Sequence, residues 1–105
     1  MTKAYMIIDL QFGSTGKGLL AGYLAKRLEP DVVATAWSPN AGHTYIDENG
    51  RKFVHCMLAN SIVSPNLTTV LIGAGSTLDL DLLYKEIESC ADLLRHKTII
   101  IHPHA

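Results

Sequence analysis

Two short segments hold the residues whose types and spacing could do chemistry. The first, Gln11-Phe12-Gly13-Ser14-Thr15-Gly16-Lys17-Gly18, sets three glycines, two hydroxyls and a lysine within six positions. Small residues let backbone N–H groups approach phosphate oxygens, and a lysine at the start of a helix adds a point charge. The segment is not a Walker A loop, because only two residues separate Gly13 from Gly16-Lys17 and Gly18 stands where a Ser or Thr would meet magnesium. A tight strand-to-helix turn with an exposed lysine is the other reading of the same residues. The second segment is Asn40-Ala41-Gly42-His43-Thr44. It offers His43 as a proton donor or acceptor near neutral pH, Asn40 as a partner for phosphate or a base edge, and the Gly42 carbonyl as an oxygen ligand for a metal. Alone it is a turn with a histidine.

The elements around these segments would have to bring them together. Ala4 to Leu10 is nearly continuously apolar and reads as a central parallel strand, buried on both faces, that feeds the glycine loop. From Lys17, the residues Leu19, Leu20, Tyr23, Leu24 and Leu28 recur at helical spacing and predict a helix that ends before Pro30. Asp31 to Trp37 predicts a second strand, joined to the first by a right-handed crossover. Both candidate loops would then emerge at the carboxyl edge of one sheet, where open α/β sheets bind ligands. Thr44 to Ile46 and Arg51 to Met57 flank Asp47-Glu48-Asn49-Gly50 and predict a hairpin excursion, since Asn49 and Gly50 both tolerate positive φ. After the Ser64-Pro65-Asn66 turn come a strand at Thr69 to Ile72 and the Gly73-Ala74-Gly75-Ser76 turn. A helix follows with the stripe Leu83, Ile87, Cys90, Ala91 and Leu94, and with Asp79 and Asp81 at its positive end. Lys97 to His102 is a last buried strand with no covering helix after it. The fold class is α/β: a mainly parallel sheet with a strand–glycine loop–helix phosphate site and a β-hairpin excursion.

Composition narrows the function classes. Nine basic and ten acidic residues leave a formal net charge of -1, which provides no broad basic face for nucleic acid. Any phosphate binding must therefore be local. Cys56 and Cys90 complete no metal spacing and no disulfide framework, so a reducing, cytoplasmic setting is expected. The apolar run after Lys3 is too short, and too soon interrupted by Asp9, for a signal h-region or a membrane span. Asp9 itself has two open readings, holding a metal-bound water or capping loop amides. His55 reads as a hydrogen-bonded structural histidine, His96 as solvated, His102 and His104 as a fortuitous pair without a third ligand, and Gly73 to Ser76 as close structural packing.

With both loops identified, the chain resembles the N-terminal region of the adenylosuccinate synthetase family. That family carries Gln-Trp-Gly-Asp-Glu-Gly-Lys-Gly after its first strand and Asn-Ala-Gly-His-Thr after its second. The resemblance implies that residues 1–105 are the N-terminal nucleotide-binding part of a larger synthetase domain, homodimeric at full length. It also implies a ligase with Mg²⁺ as cofactor: a nucleoside triphosphate phosphorylates O6 of a purine nucleotide, and the amine of L-aspartate then displaces phosphate. By resemblance His43 is the general acid, Lys17 and the amides of Gly13, Ser14, Thr15, Gly16 and Gly18 stabilise the moving phosphoryl, and Asn40, Ala41, Gly42 and Thr44 join His43 in nucleotide binding. Gly42 and Ser14 are the implied metal ligands. In the family's main branch the Ser14 position is an aspartate that takes the purine N1 proton, Thr15 is a glutamate, and Gly-Gly-His stands in place of Trp37-Ser38-Pro39. The Ser-Thr version resembles the 2-aminoadenylosuccinate synthetases of bacteriophages with 2,6-diaminopurine DNA, which act on dGMP. The expected substrate is therefore dGMP with ATP or GTP. The alternatives are an ordinary synthetase using IMP and GTP, and a nucleotide-binding module without catalysis.

Overall fold

Short runs rich in β-branched and aromatic residues form the strands, and the segments between them sort those strands into two sheets. The computed structural model describes residues 2–8, 10, 15–39 and 42–105. In chain order these hold α1 (Lys17–Leu28), β1 (Val32–Thr35), β2 (His43–Ile46), β3 (Lys52–His55), a 3-10 turn (Asn60–Val63), β4 (Thr69–Ile72), α2 (Leu80–Ser89), the single turn α3 (Ala91–Leu94) and β5 (Thr98–Ile101). Strands β1, β4 and β5 form a parallel sheet in that order, with Val33 beside Val70 and Val70 beside Ile99. Strands β2 and β3 form the antiparallel hairpin, with His43 opposite His55. The α/β class, the parallel sheet and the hairpin are as expected.

Side-chain alternation puts Val33, Thr35, Val70 and Ile72 on the buried face of the sheet, where the apolar ones share a core with Leu83, Cys90 and Leu94. On the other face Val32 is 44% exposed and Leu71 is half-buried among the described residues. Ile100 and Ile101 on β5 are 48% and 41% exposed, so among the described residues this strand is an edge and not the buried strand its isoleucines suggested. The expected first strand departs further. Residues 2–8 pair with no strand, and Met6 and Leu10 are 85% and 94% exposed. An apolar run becomes a central strand only where two layers enclose it, and the described sheet offers one covered face.

Helix α1 spans the expected residues but turns the other way. Its buried positions are Gly18, Gly22 and Ala25, while Leu19, Leu20, Tyr23 and Leu28 are exposed. The small-residue face lies on β2 and the 3-10 turn. A Cβ at Gly22 would stand 2.4 Å from Cγ of Tyr45, so only glycine permits this approach. At the hairpin, Gly50 alone takes positive φ, at 83°. Asn49 does not, because Oδ1 of Asp47 accepts the N–H groups of Asn49 and Arg51 at 2.9 Å each and holds a turn that ends in a left-handed glycine.

Helix α2 opens on Asp79, whose Oδ1 accepts the N–H of Leu82 at 3.0 Å. The predicted single stripe is broken at Cys90. The Glu86 carbonyl accepts from Ser89 Oγ at 2.8 Å and from Cys90 Sγ at 3.0 Å, and this side-chain competition with the helical ladder separates α2 from α3 and leaves Ala91 exposed. The Glu86 side chain points into the protein and is 5% exposed. Its Oε1 accepts the N–H of Cys56 at 2.5 Å, and its Oε2 accepts those of Met57 and Leu58 at 2.9 Å each. One carboxylate thus satisfies three consecutive amides in the segment that leaves β3. The close packing expected after β4 is present: the Gly73 N–H donates to the Thr35 carbonyl at 2.7 Å, and a Cβ on Gly73 would crowd that oxygen.

Candidate active site

The helix start is the best-defined part of the glycine loop. Gly16 occupies the N-cap position with φ 88° and ψ 21°, a left-handed conformation that glycine adopts without strain, and Lys17 begins α1. Gly16 has no side chain with which to cap the first turn, and a helix N-terminus of this kind favours an anion. A cavity of about 530 Å³ opens beside them, lined by Ile7, Ile8, Thr15, Gly16, Lys17 and Leu20.

His43, the first residue of β2, lies against this helix start. A Cβ on Gly18 would come within 2.8 Å of His43 Cβ, so the glycine is what lets the histidine sit directly on α1. The imidazole is half-buried and stacks on the Trp37 indole, with centroids 4.1 Å apart and planes inclined by 23°. Burial pushes its pKa down, the Lys17 charge pushes it further the same way, and the Glu86 carboxylate partly offsets both. Lys17, Gly18 and His43 therefore share one locality, as the sequence predicted. The route differs from the prediction: the small-residue face of α1 packs on the hairpin, and among the described residues before α1 there is no strand.

Gly42 and Thr44 flank His43 and are exposed, as is Thr15. Gly13, Ser14, Asn40, Ala41 and Asp9 lie outside the described residues. Asn60 is a contributor the sequence reading missed: it is buried, and its Nδ2 donates to the Gly18 carbonyl at 3.4 Å. The signal for it was a lone amide in the apolar run Met57 to Val63. His55 is buried as expected, with its pKa lowered chiefly by desolvation, yet its Nδ1 has no hydrogen-bond partner among the described residues. His96 is exposed, as expected. His102 and His104 meet edge to face at 5.3 Å, and among the described residues no three His, Cys, Asp or Glu side chains gather as a metal site. Both cysteines are free thiols, and no helix among the described residues is long and apolar enough to cross a membrane.

This arrangement, a glycine-capped helix start with a lysine beside a half-buried histidine, suits stabilisation of a transferring phosphoryl group. Residues 6–105 match the family described as adenylosuccinate synthetase, and the chain belongs to that family. It is 70% identical over 103 residues to the N6-succino-2-amino-2'-deoxyadenylate synthase of Salmonella phage PMBT28, covering 98% of this chain and 28% of that protein. It is 62% identical over 105 residues to the protein of the same name from Acinetobacter phage SH-Ab 15497, covering 100% of this chain and 27% of that one. Among solved structures, it matches the cyanophage S-2L succinoaminodeoxyadenylate synthetase (PurZ), bound to dGMP and to dATP as an energy donor. That match has a TM-score of 0.83 and 46% identity over 93% of this chain and 27% of that one. The chain thus spans little more than a quarter of the length of these relatives.

Proposed function

We propose that the protein is a purine-nucleotide ligase joining L-aspartate to C6 of dGMP, with ATP as the phosphoryl donor, and that residues 1–105 are its N-terminal nucleotide-binding part. The observation that carries this reading is the seating of His43 against Gly18 and within the field of Lys17, in a chain 70% identical to a relative named for the product of that reaction. In the first step the γ-phosphoryl leaves ATP, releasing ADP, and bonds to O6 of the guanine as the N1 proton passes to solvent. In the second, the aspartate amine bonds to C6 and O6 departs with the phosphoryl as inorganic phosphate. Lys17 and the first amides of α1 neutralise charge on the transferring oxygens, and His43 acts as general acid beside them.

The Gly42 carbonyl is a hard oxygen donor, of the class Mg²⁺ takes together with triphosphate oxygens and water, and it belongs to an exposed residue next to His43. Mg²⁺ held there and by Ser14 would supply charge neutralisation to the triphosphate. Asn40, Ala41 and Thr44 complete the nucleotide contacts in this reading. The test is turnover of the full-length protein with aspartate, ATP and each of dGMP, GMP and IMP. Phosphate release and the succinylated 2-aminopurine product are expected with dGMP and should collapse in His43→Ala. Turnover confined to IMP would overturn the choice of substrate, and nucleotide binding without phosphate release would overturn the ligase reading.

A further inference from the structure

We propose that Trp37 is a positioning residue for His43, holding the plane of its imidazole through the stack between the two rings. The inference rests on the reading of His43 as the general acid. Three observations carry it. The rings are 4.1 Å apart and inclined by 23°, within the range of an offset stack. The Trp37 main chain is tied to the segment after β4, since its carbonyl accepts the Thr77 N–H at 3.2 Å, and this anchors the backbone from which the indole meets the histidine. The indole Nε1 is buried and has no hydrogen-bond partner among the described residues, so ring packing and not a polar anchor sets the indole plane.

His43 needs such a neighbour. Its Cβ is pinned against Gly18, which leaves rotation of the ring as the remaining freedom. A general acid must present its N–H along one line to the reacting oxygen, and a small misplacement is expensive in rate. Turning the imidazole out of its plane breaks the stack, so Trp37 limits the ring to orientations whose plane runs nearly parallel to the indole face.

The test uses the full-length protein with dGMP, ATP and aspartate. Trp37→Met, which keeps apolar bulk without an aromatic plane, should lower kcat about ten-fold. The KM values for dGMP and ATP should stay within about three-fold, because substrate contacts are untouched. Trp37→Phe restores a stackable ring and gives up an N–H that has no partner among the described residues, so it should recover most of kcat. In a His43→Ala background, Trp37→Met should have no further effect, and in both Trp37 variants the ring-current shift of the His43 ring protons should track kcat. A loss that multiplies with that of His43→Ala, a loss in KM instead of kcat, or a folded Trp37→Phe protein as slow as Trp37→Met would overturn the inference. Should Trp37→Met fail to fold, the Trp37→Phe rate and ring shift still decide. A His43→Ala enzyme with full activity would instead refute the role of His43, and the ring shift would report the stack independently.

Discussion

Replacing Glu86 should weaken the protein more than any other single polar change among the described residues. The carboxylate is 5% exposed and accepts three consecutive amides, those of Cys56, Met57 and Leu58. Met57 and Leu58 are themselves buried, so water cannot easily replace the lost acceptor. Hydrogen bonds to a charged group contribute about 1.5–3 kcal/mol each, but they are not additive within one network, and removing one partner of a buried charged cluster typically costs about 3–5 kcal/mol. We expect about 3–5 kcal/mol for Glu86→Ala, a large share of the roughly 5–15 kcal/mol that stabilises an ordinary domain. Glu86→Gln should cost less, about 1–3 kcal/mol, because one oxygen remains while the new NH₂ faces an amide donor. Urea unfolding of the full-length protein gives the size of the loss. Amide hydrogen exchange over residues 55–60 gives its location and should accelerate in both variants ahead of the rest of the chain. An unchanged unfolding midpoint together with unchanged exchange at those amides would refute the reasoning.

Gly22→Ala should destabilise despite the better helix propensity of alanine. The new Cβ would fall 2.4 Å from a Tyr45 ring that is itself buried and stacked on Phe53, so the crowding outweighs a propensity gain of about 1 kcal/mol and leaves a net loss of about 1–2 kcal/mol by urea unfolding. Adding Tyr45→Leu to make room should recover part of it, and a Gly22→Ala protein more stable than the parent would contradict the packing. His55 should give the fold an acid sensitivity. Burial holds its pKa below the ordinary value, so the unfolded chain binds a proton that the folded one resists. This contribution to stability is complete above the unfolded pKa of about 6.5 and is lost as pH falls toward the folded pKa. Thermal midpoints of His55→Gln should therefore fall less than the parent's on acidification through this window, and parallel declines would rule His55 out.

Much of this architecture was legible because local chemistry specifies it. The strand Thr69 to Ile72 is bounded by turn residues and appears at those limits, and Asp79 starts its helix by a side-chain cap written into the sequence. The two candidate loops were recognisable from residue type and spacing, and Gly18 and His43 do meet. What failed was inference from apolarity to partner. The run Ala4 to Leu10 says that burial is favoured but not what would supply it. On α1 the leucines drew attention, whereas Gly18, Gly22 and Ala25 carry a second helical-period stripe, and that stripe is the one against the hairpin. Glu86 falls beside Leu83 and Ile87 on the inward side of α2, and a carboxylate at that position was the available sign of a buried acceptor role.

The location of the chemistry follows from which surfaces glycine allows to touch. Lys17, Gly18 and His43 belong to α1 and the hairpin, and α1 packs on β2 and the 3-10 turn. Two of the contacts that join this unit to the parallel sheet and its helix α2 differ in kind. One is Glu86, which ties α2 to the amides that leave β3; the other is Trp37, whose backbone is held by Thr77 after β4 and whose ring lies on His43. A change at the exposed Val32 or Ile100 of the sheet touches neither link and should leave the geometry around His43 intact. Disturbing either link alters the site without removing any residue that meets substrate. The stack acts on the orientation of one ring, and the carboxylate acts on the stability of the segment that carries Asn60 to the carbonyl of Gly18. The two links are therefore separable by experiment, since the first should move kcat with stability little changed and the second should move stability first.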